Sequence, residues 1–510
     1  MWGGLEEAIY NAATRQVAKH EAYFRWVYEE NRRRARRSTA AAAKVQIRRP
    51  RVWTLDPGFD PYLVRARSAT IAHSMTRALK RGVYTPHRPA GRLVEKRSGG
   101  YRTVSMFPIA DEVISNRVYS SLMDKNRPLL SSRSYAYRRD LSPHDAILHM
   151  RAEFQQSARL FVAEYDFSKF FDKISHQHIW TCIDSLNIVR TPREEALVEA
   201  FLATPEPYLD ATAKASHATS RTIGLPQGTS LSLFLANLAA SPLDRALERL
   251  GVNFVRYADD TVIWSSSYDA VCEAASALHE LSETIGSPIN SDKSPGVRLL
   301  RNGVSAPHEM KSTAFVEYLG HAVELRSIRM HDDAVRRIKA KVNQLIFTNL
   351  LLEPLRGTQD TSRIGKNDRD YVVYVWQLRR YLYGSLSEAQ VRRFQNGQVP
   401  PMSFKGAMSF YPLVNDAEKL ADLDAWITTH TWLALQKRRK LLAAAGVASS
   451  PVVWQVRREK LHSFSTTATA TGALIDLRLP SVCRISSLIQ DAVKRHGIAV
   501  VAGGGALYNY

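Results

Sequence analysis

The segment Asn253-Phe-Val-Arg-Tyr-Ala-Asp-Asp-Thr-Val-Ile-Trp264 decides the fold of this chain. Two apolar, β-prone runs flank a short acidic turn, which predicts a β-hairpin with Asp259 and Asp260 at its tip. Two adjacent carboxylates repel each other unless a cation lies beside them, so the turn indicates a metal site. Taken alone, the pattern is more typical of a solvated hairpin tip.

A third carboxylate strengthens the metal interpretation. The run Leu160-Phe-Val-Ala-Glu-Tyr-Asp166 predicts a strand that ends in an acidic residue and leads into a turn and a helix. Phosphoryl chemistry that uses two metal ions needs carboxylates from separate strands. Asp166 and Asp259 meet this requirement if their strands are neighbours in one sheet.

A glycine-bounded turn lies between these two acidic segments. Gly224-Leu-Pro-Gln-Gly228 predicts a tight turn followed by a helix of small residues, and the glycines would let a nucleotide or template approach the backbone. Further on, Ser241-Pro-Leu-Asp244 predicts a break in that helix, with Ser241 as N-cap and Asp244 reaching back to it.

These motifs occur in the order found in reverse transcriptases. An aspartate-ending strand with Phe-Phe-Asp after it, then Gly-Leu-Pro-Gln-Gly, then Tyr-Ala-Asp-Asp, resembles group II intron, retron and defence-associated bacterial members of this family. Four flanking segments extend the resemblance over residues 90 to 325. They are Lys96-Arg-Ser-Gly-Gly-Tyr-Arg102, Ser134-Tyr-Ala-Tyr-Arg138, Ile289-Asn-Ser-Asp-Lys293 and Phe315-Val-Glu-Tyr-Leu-Gly320.

The resemblance implies an α+β right-hand polymerase fold. Its palm would be an antiparallel sheet packed on helices, with fingers, a helical thumb, and helical N- and C-terminal extensions. The expected divisions are a basic helical N-terminal extension at 1–55, fingers at 56–155, the palm with the catalytic core at 156–325, a thumb-like helical region at 326–400, and a C-terminal helical extension with a flexible tail at 401–510.

The resemblance also implies roles for palm residues. Asp166, Asp259 and Asp260 would bind two Mg²⁺ ions, with Mn²⁺ as an alternative, and the backbone carbonyl of Phe167 would complete a site. Lys293 would protonate the pyrophosphate leaving group, since a general acid must be protonated and within reach. A solvated loop lysine is the plainer interpretation of Lys293.

Four residues are expected to bind the incoming dNTP. Lys96 and Arg102 would neutralise the triphosphate, and Gln227 would lie over the nascent base pair. Phe171 is the expected steric gate, because an aromatic ring against C2′ clashes with a ribose hydroxyl and favours a deoxynucleotide. RNA-copying RNA polymerases tend to have an aspartate at this spacing. The alternative for Phe171 is a phenylalanine packed in the core.

The composition favours a polyanionic partner. The chain has 510 residues, a net charge of +21 and three cysteines without metal-ligand spacing, and its pI is near 9.9, which favours nucleic acid over a membrane surface. No apolar run is long enough to span a bilayer, so we expect a reducing cytoplasm. The candidate nucleic-acid-binding residues are Arg32, Arg33, Arg34, Arg36 and Arg37, and Arg336 and Lys339 on a predicted helix from Asp332.

The resulting prediction is RNA-templated DNA synthesis from dNTPs. The RNA template would be a cognate structured non-coding RNA, in bacterial anti-phage defence. Two alternatives stay open: a non-catalytic RNA-binding maturase or scaffold, and an RNA-dependent RNA polymerase. Tyr508 and Tyr510, on a glycine-rich tail, are candidate priming hydroxyls. Oligomerisation is left open, and no membrane partner is expected.

Overall fold

The computed structural model describes residues 3–37, 45–95, 100–210, 219–303, 310–397, 400–467 and 474–501. These residues form a mixed α+β fold, as predicted. The helices are α1 Leu5–Arg37, α2 Val52–Leu55, α3 Pro61–Ala66, α4 Ser68–Arg81, α5 Ile109–Asn126, α6 Pro143–Phe154, α7 Phe170–Lys173, α8 His176–Ser185, α9 Pro192–Leu202, α10 Ser230–Ala239, α11 Ser241–Arg249, α12 Tyr268–Ile285, α13 Asp332–Ile346, α14 Leu352–Arg356, α15 Arg369–Tyr383, α16 Glu388–Gln395, α17 Ala417–Ala444 and α18 Val482–His496. The strands are β1 Ala90–Glu95, β2 Tyr101–Met106, β3 Arg159–Tyr165, β4 Asn253–Tyr257, β5 Asp260–Ser265, β6 Gly296–Arg301, β7 Ser312–Thr313, β8 Val316–Tyr318, β9 His321–Val323, β10 Ile328–Met330, β11 Ser465–Thr467 and β12 Leu474–Asp476.

A five-stranded sheet carries the acidic segments. Its strand order is β4-β5-β3-β6-β7, and all neighbours are antiparallel except β6 and β7. The strand that leads to Asp166 is therefore the direct neighbour of the strand that begins with Asp260, as the two-metal argument requires.

Both faces of this sheet are buried. On one face, Val162, Val255 and Trp264 belong to a first hydrophobic core. On the other face, Ala163 and Ile263 belong to a second core. Successive residues alternate between the cores because neighbouring side chains in a strand point to opposite faces. Burial on both sides explains why these strands are almost continuously apolar in sequence.

The two cores join the sheet to different parts of the chain. The second core includes α1, α4, α5, α8, α9, α10 and α12. The first core includes α6, α13, α15, α17 and α18. The segments 326–400 and 401–510, which we expected as two regions, thus contribute to a single core.

A buried arginine ties these two segments together. The Arg438 side chain on α17 is fully buried, and its Nε and Nη2 donate to Asp368 Oδ2 and Asp370 Oδ2 at 2.7 and 2.8 Å. Its Nη1 donates to the carbonyl of Leu350 at 2.8 Å. Leu350 lies in a π-helical turn, Phe347–Leu351, that follows α13. Arg438 thus satisfies a carbonyl in a turn where the regular α-helical hydrogen bonding is interrupted.

A break interrupts the helix after the glycine-bounded turn, as predicted, but its capping differs from the prediction. Ala240 alone separates α10 from α11, and it takes the N-cap position in an αR conformation. The Ser241 hydroxyl donates to the Asn237 carbonyl at 3.2 Å. Asp244 accepts hydrogen bonds from the buried guanidinium of Arg256. The expected Ser241 cap was wrong because the Ser241 hydroxyl bonds back to the preceding helix, while Asp244 is the carboxylate that the buried guanidinium requires.

The predicted helix from Asp332 is confirmed. It begins there as α13, with His331 as N-cap, and Ile338 and Val342 are buried on its inner face. Within the described ranges, none of the helices combines the length and apolar character needed to cross a bilayer.

Candidate active site

Three carboxylates meet at the end of the sheet. Tyr165 of β3 pairs with Thr261 of β5, so the next residues outward, Asp166 and Asp260, lie opposite each other. Asp259 is in the two-residue loop between β4 and β5, which are paired up to this loop. The predicted hairpin and its acidic tip are thus present, and its neighbouring strand contributes the third carboxylate.

The electrostatics of this cluster are unfavourable without a cation. Burial, followed by repulsion from Asp166, raises the pKa of Asp259 to about 6. Burial, followed by repulsion from Asp259 and Asp166, raises the pKa of Asp260 well above its ordinary value. Glu164 and Glu317 add to the repulsion at Asp260. Carboxyl groups that are buried next to one another resist ionisation, and a bound divalent ion would offset the repulsion between their charges.

Two cations act on the cluster. Lys293 Nζ donates to Asp166 Oδ2 at 2.5 Å, and this hydrogen bond raises the pKa of Lys293. Lys293 and Arg102 both lower the pKa of Asp259, against the stronger effect of burial. The lysine-bearing loop is itself fixed to β3, because Asn290 N donates to the Asp166 carbonyl at 2.8 Å and Asp166 N donates to Ser294 Oγ at 3.2 Å.

The glycine-bounded turn is clamped between two other segments. Gly224 and Gly228 have φ of +76° and +137°. A Cβ on Gly224 would lie 2.5 Å from the Asp172 carbonyl oxygen, and one on Gly228 would lie 2.0 Å from that of Ser105. The glycines therefore admit the backbone of the protein itself, where we expected a nucleotide or template.

This clamp fixes Gln227 beside the expected steric gate. Gln227 Nε2 donates to Asp172 Oδ1 at 2.8 Å, and its carbonyl accepts from Ser105 N at 2.6 Å. The Phe171 carbonyl accepts from Leu225 N at 2.6 Å. The side chain that we expected over the nascent base pair is thus bonded to the carboxylate next to Phe171.

The Phe171 side chain is partly exposed and packs against other aromatic rings. It is half-buried against the second core, and its ring lies edge-on to Tyr137 and Phe170, with centroids 6.1 and 6.0 Å away. The backbone of Phe167, the expected carbonyl ligand, pairs with that of Ile289 next to the lysine-bearing loop.

The basic residues predicted to bind nucleic acid have partners of their own. Arg32 is exposed and lies 3.9 Å from Glu29. Arg336 pairs with Asp333 on the first turn of α13, and Lys339 lies over the Trp426 ring at 5.2 Å. Lys96, Tyr508 and Tyr510 lie outside the described residues, as do the side chains of Arg33, Arg34, Arg36 and Arg37.

No role was predicted from sequence for Tyr318, for Arg256, or for the group of Glu317, His331 and Asp333. Tyr318 of β8 donates from its hydroxyl to the Asp260 carbonyl at 3.2 Å. His331 Nδ1 lies 3.0 Å from Glu317 Oε1, and with Asp333 these two form a second group whose atoms could hold a metal ion. Arg256, fully buried in β4, bonds to the turn itself. Its signal in the sequence is a charged residue inside an apolar strand.

A match to a protein family agrees with this geometry. A mostly antiparallel sheet that presents clustered carboxylates between layers of helices defines the palm of a right-hand polymerase. Residues 94–323 match the family model described as reverse transcriptase (RNA-dependent DNA polymerase). The fold class predicted from sequence is thereby confirmed, and the match supports a domain of the reverse transcriptase family.

Solved structures with similarity to the chain include two telomerases and a viral polymerase. The apo telomerase of Candida tropicalis truncated from its C-terminal domain is 14% identical over 52% of this chain and 60% of that chain, with a TM-score of 0.39. Telomerase from Candida albicans, in complex with a fragment of telomeric RNA, is 13% identical over 74% of this chain and 64% of that chain, with a TM-score of 0.39. The RNA-dependent RNA polymerase of a human picobirnavirus is 18% identical over 46% of this chain and 43% of that chain, with a TM-score of 0.32. This chain therefore spans less than two thirds of these three structures. No curated protein matches the sequence.

Proposed function

We propose that this protein is a metal-dependent polymerase that copies RNA into DNA. The observation that carries the proposal is the opposition of Asp166 and Asp260 on neighbouring strands, with Asp259 in the adjoining turn. A non-catalytic scaffold that binds RNA has no use for three clustered carboxylates, because they repel its ligand. The family match over residues 94–323 supports the same reaction class.

The donor set fits divalent ions that prefer oxygen ligands. Asp166, Asp259 and Asp260 offer carboxylate oxygens, the ligand type of Mg²⁺ and Mn²⁺, and we assign two ions to them, with the Phe167 carbonyl as a further ligand. The raised pKa values of Asp259 and Asp260 fit a site that is completed by positive charge. Bound ions would activate the primer 3′-hydroxyl and neutralise charge on the pyrophosphate.

The remaining site residues act on the nucleotide. Lys293 keeps its proton because Asp166 raises its pKa, so we assign it as the acid for the pyrophosphate leaving group. Arg102 and Lys96 bind the triphosphate. Phe171 excludes the ribose 2′-hydroxyl, and Gln227 shapes the nascent pair through its bond to the neighbouring carboxylate.

The proposed RNA-binding surfaces are inferred from the positive charge of the chain and from its proposed division into regions. We propose the N-terminal extension at 1–55, the fingers at 56–155, the palm at 156–325, the thumb-like region at 326–400 and the C-terminal extension at 401–510. Arg32 to Arg37 on the extension and Arg336 and Lys339 on the thumb-like region would bind RNA, in keeping with a net charge of +21.

We propose a bacterial enzyme of anti-phage defence that copies its own structured non-coding RNA. All three cysteines are free, which suits a reducing cytoplasm. Priming from Tyr508 or Tyr510 stays a prediction, which nucleotide attachment on a tyrosine after incubation with dNTPs would test.

Primer extension separates the three candidate functions. The full-length protein is incubated with a primed RNA template, Mg²⁺ and either dNTPs or NTPs. We expect extension with dNTPs, none with NTPs, and none from Asp259→Ala, which should still bind RNA. Asp422→Ala, an exposed carboxylate on α17, is the matched control and should extend normally. Extension only with NTPs would indicate an RNA polymerase, and RNA binding without extension would indicate a scaffold.

A further inference from the structure

The buried guanidinium of Arg256 donates hydrogen bonds from all three of its nitrogens. Its side chain is 1% exposed, and it forms a two-point ion pair with Asp244, whose side chain is 2% exposed. Arg256 Nε donates to Asp244 Oδ1 at 2.7 Å, and Nη2 donates to Oδ2 at 2.6 Å. This planar arrangement is the geometry that arginine makes with a carboxylate and that lysine cannot make.

The same guanidinium connects three other segments of the site. Its Nη2 also donates to Ser134 Oγ and to Asn237 Oδ1, each at 2.9 Å. Ser134 in turn donates to Asn237 Oδ1 at 2.7 Å. Ser134 belongs to the segment expected in the fingers, Asn237 to α10 and Asp244 to α11. One buried side chain of β4 thus links the distant Ser134 segment to the consecutive helices α10 and α11.

The remaining bond reaches the catalytic turn. Arg256 Nη1 donates to the Ala258 carbonyl at 3.0 Å. That carbonyl belongs to the peptide that joins Ala258 to Asp259. Ala258 has φ of +62°, a left-handed conformation that is strained for a residue with a Cβ. A strained turn needs outside contacts to hold one arrangement, and this hydrogen bond is such a contact.

We propose that Arg256 is a positioning residue for the acidic turn. By fixing the orientation of the Ala258–Asp259 peptide, it sets the direction in which the Asp259 and Asp260 carboxylates leave the backbone, and so their capacity to bind a divalent cation together with Asp166. A network that served stability alone would require the ion pair with Asp244 but no bond to the turn. The expected effect of Arg256 on catalysis rests on the proposed function, whereas its expected effect on cation binding does not.

The test compares two buried arginines. Arg256→Lys keeps the charge but cannot supply the planar set of donors. Arg438→Lys is the matched control, because Arg438 is also fully buried and is also held by aspartate, in its case Asp368 and Asp370 in the C-terminal part of the first core. Mn²⁺ binding to the full-length proteins is measured by electron paramagnetic resonance, with Asp259→Asn as the blank that identifies binding at the turn. Thermal midpoints are recorded for each variant.

We expect both lysine variants to lower the thermal midpoint, while only Arg256→Lys weakens Mn²⁺ binding, by about tenfold. In primer extension the same variant should raise the Mg²⁺ concentration for half-maximal rate by a similar factor, with the KM for dNTP unchanged. Unchanged Mn²⁺ affinity in Arg256→Lys, or equal loss in both variants, would overturn the proposal.

These measurements distinguish a failure of the proposed function from a failure of the proposed role of Arg256. If the wild-type protein binds Mn²⁺ at the turn but extends no primer, the proposed function fails while the role of Arg256 is still decided by the binding data. If Arg256→Lys does not fold, Ser134→Ala removes one acceptor of the Arg256 guanidinium and leaves the ion pair with Asp244 intact. A two- to threefold loss of Mn²⁺ affinity in Ser134→Ala supports the proposal, and no loss overturns it.

Discussion

Neutralising Asp259 should make the metal-free protein more stable at neutral pH. Burial and repulsion by Asp166 raise the pKa of Asp259 from its ordinary 3.8 to about 6. The folded protein then binds this proton more tightly than the unfolded chain, so stability is lost as the pH rises through about 6 and is unaffected below about 4. Each tenfold change in acid dissociation is worth about 1.4 kcal/mol, so the ionised carboxylate costs about 3 kcal/mol. Solvent screening of this partly exposed side chain reduces the cost to about 2 kcal/mol.

The variant Asp259→Asn keeps the size of the side chain and removes its charge. Urea unfolding in EDTA at pH 7.5 should show a gain of about 2 kcal/mol over the wild type, and at pH 4 the gain should vanish. Asp422→Asn, on the exposed face of α17, should change stability little at either pH. Added Mg²⁺ should stabilise the wild type more than Asp259→Asn, because a ligand stabilises only the state that binds it. If Asp259→Asn were less stable than the wild type at pH 7.5 in EDTA, favourable contacts would be holding the carboxylate, and the reasoning would be refuted.

Three further substitutions test separate parts of the site. Phe171→Ala should reduce the discrimination against ribonucleotides by about 10- to 100-fold in kcat/KM, and unchanged discrimination would remove its role as gate. Gly228→Ala should destabilise the protein by roughly 3 kcal/mol, because the new Cβ would lie 2.0 Å from the Ser105 carbonyl oxygen. In thermal unfolding, Gly365→Ala, where nothing lies within 4 Å, should be nearly neutral, and equal effects of the two would contradict the clamp. Lys293→Met should lower the single-turnover extension rate by roughly 100-fold, whereas a rate within threefold of the wild type would exclude proton transfer by this lysine.

The central part of the fold is predictable because its physical causes are local. Asp166 ends one apolar run and Asp259 follows another, and strands with such runs pair when both faces can be buried. The acidic hairpin, the helix break near Ser241 and the start of α13 at Asp332 were all found from local pattern. Of the site residues implied by the resemblance, Asp166, Asp259 and Asp260 lie together at one end of the sheet, and Lys293 bonds to Asp166.

The features that sequence did not reveal depend on long-range contacts. Arg256 bonds to Ser134 and Asn237, which are 122 and 19 positions away, and no local spacing records such a partnership. The contact of Gly228 with Ser105 is equally distant in the chain. Only tertiary packing explains why these residues are needed.

The packing between the two C-terminal segments is not evident from sequence for the same reason. The helical pattern of the segments 326–400 and 401–510 would look the same if they folded as two separate units. Their shared core, and the pairing of Arg438 on α17 with Asp368 and Asp370, join positions 70 and 68 residues apart. Helical periodicity identifies which face of a helix is buried, but not which other helix covers it.

The most direct test of the central claim is the location of bound metal in a complex with a primed RNA template and a dNTP. Anomalous scattering from Mn²⁺ should show two ions roughly 3.5–4 Å apart, bound by Asp166 and Asp259. Manganese bound only at Glu317, His331 and Asp333, with none at the acidic turn, would contradict the account.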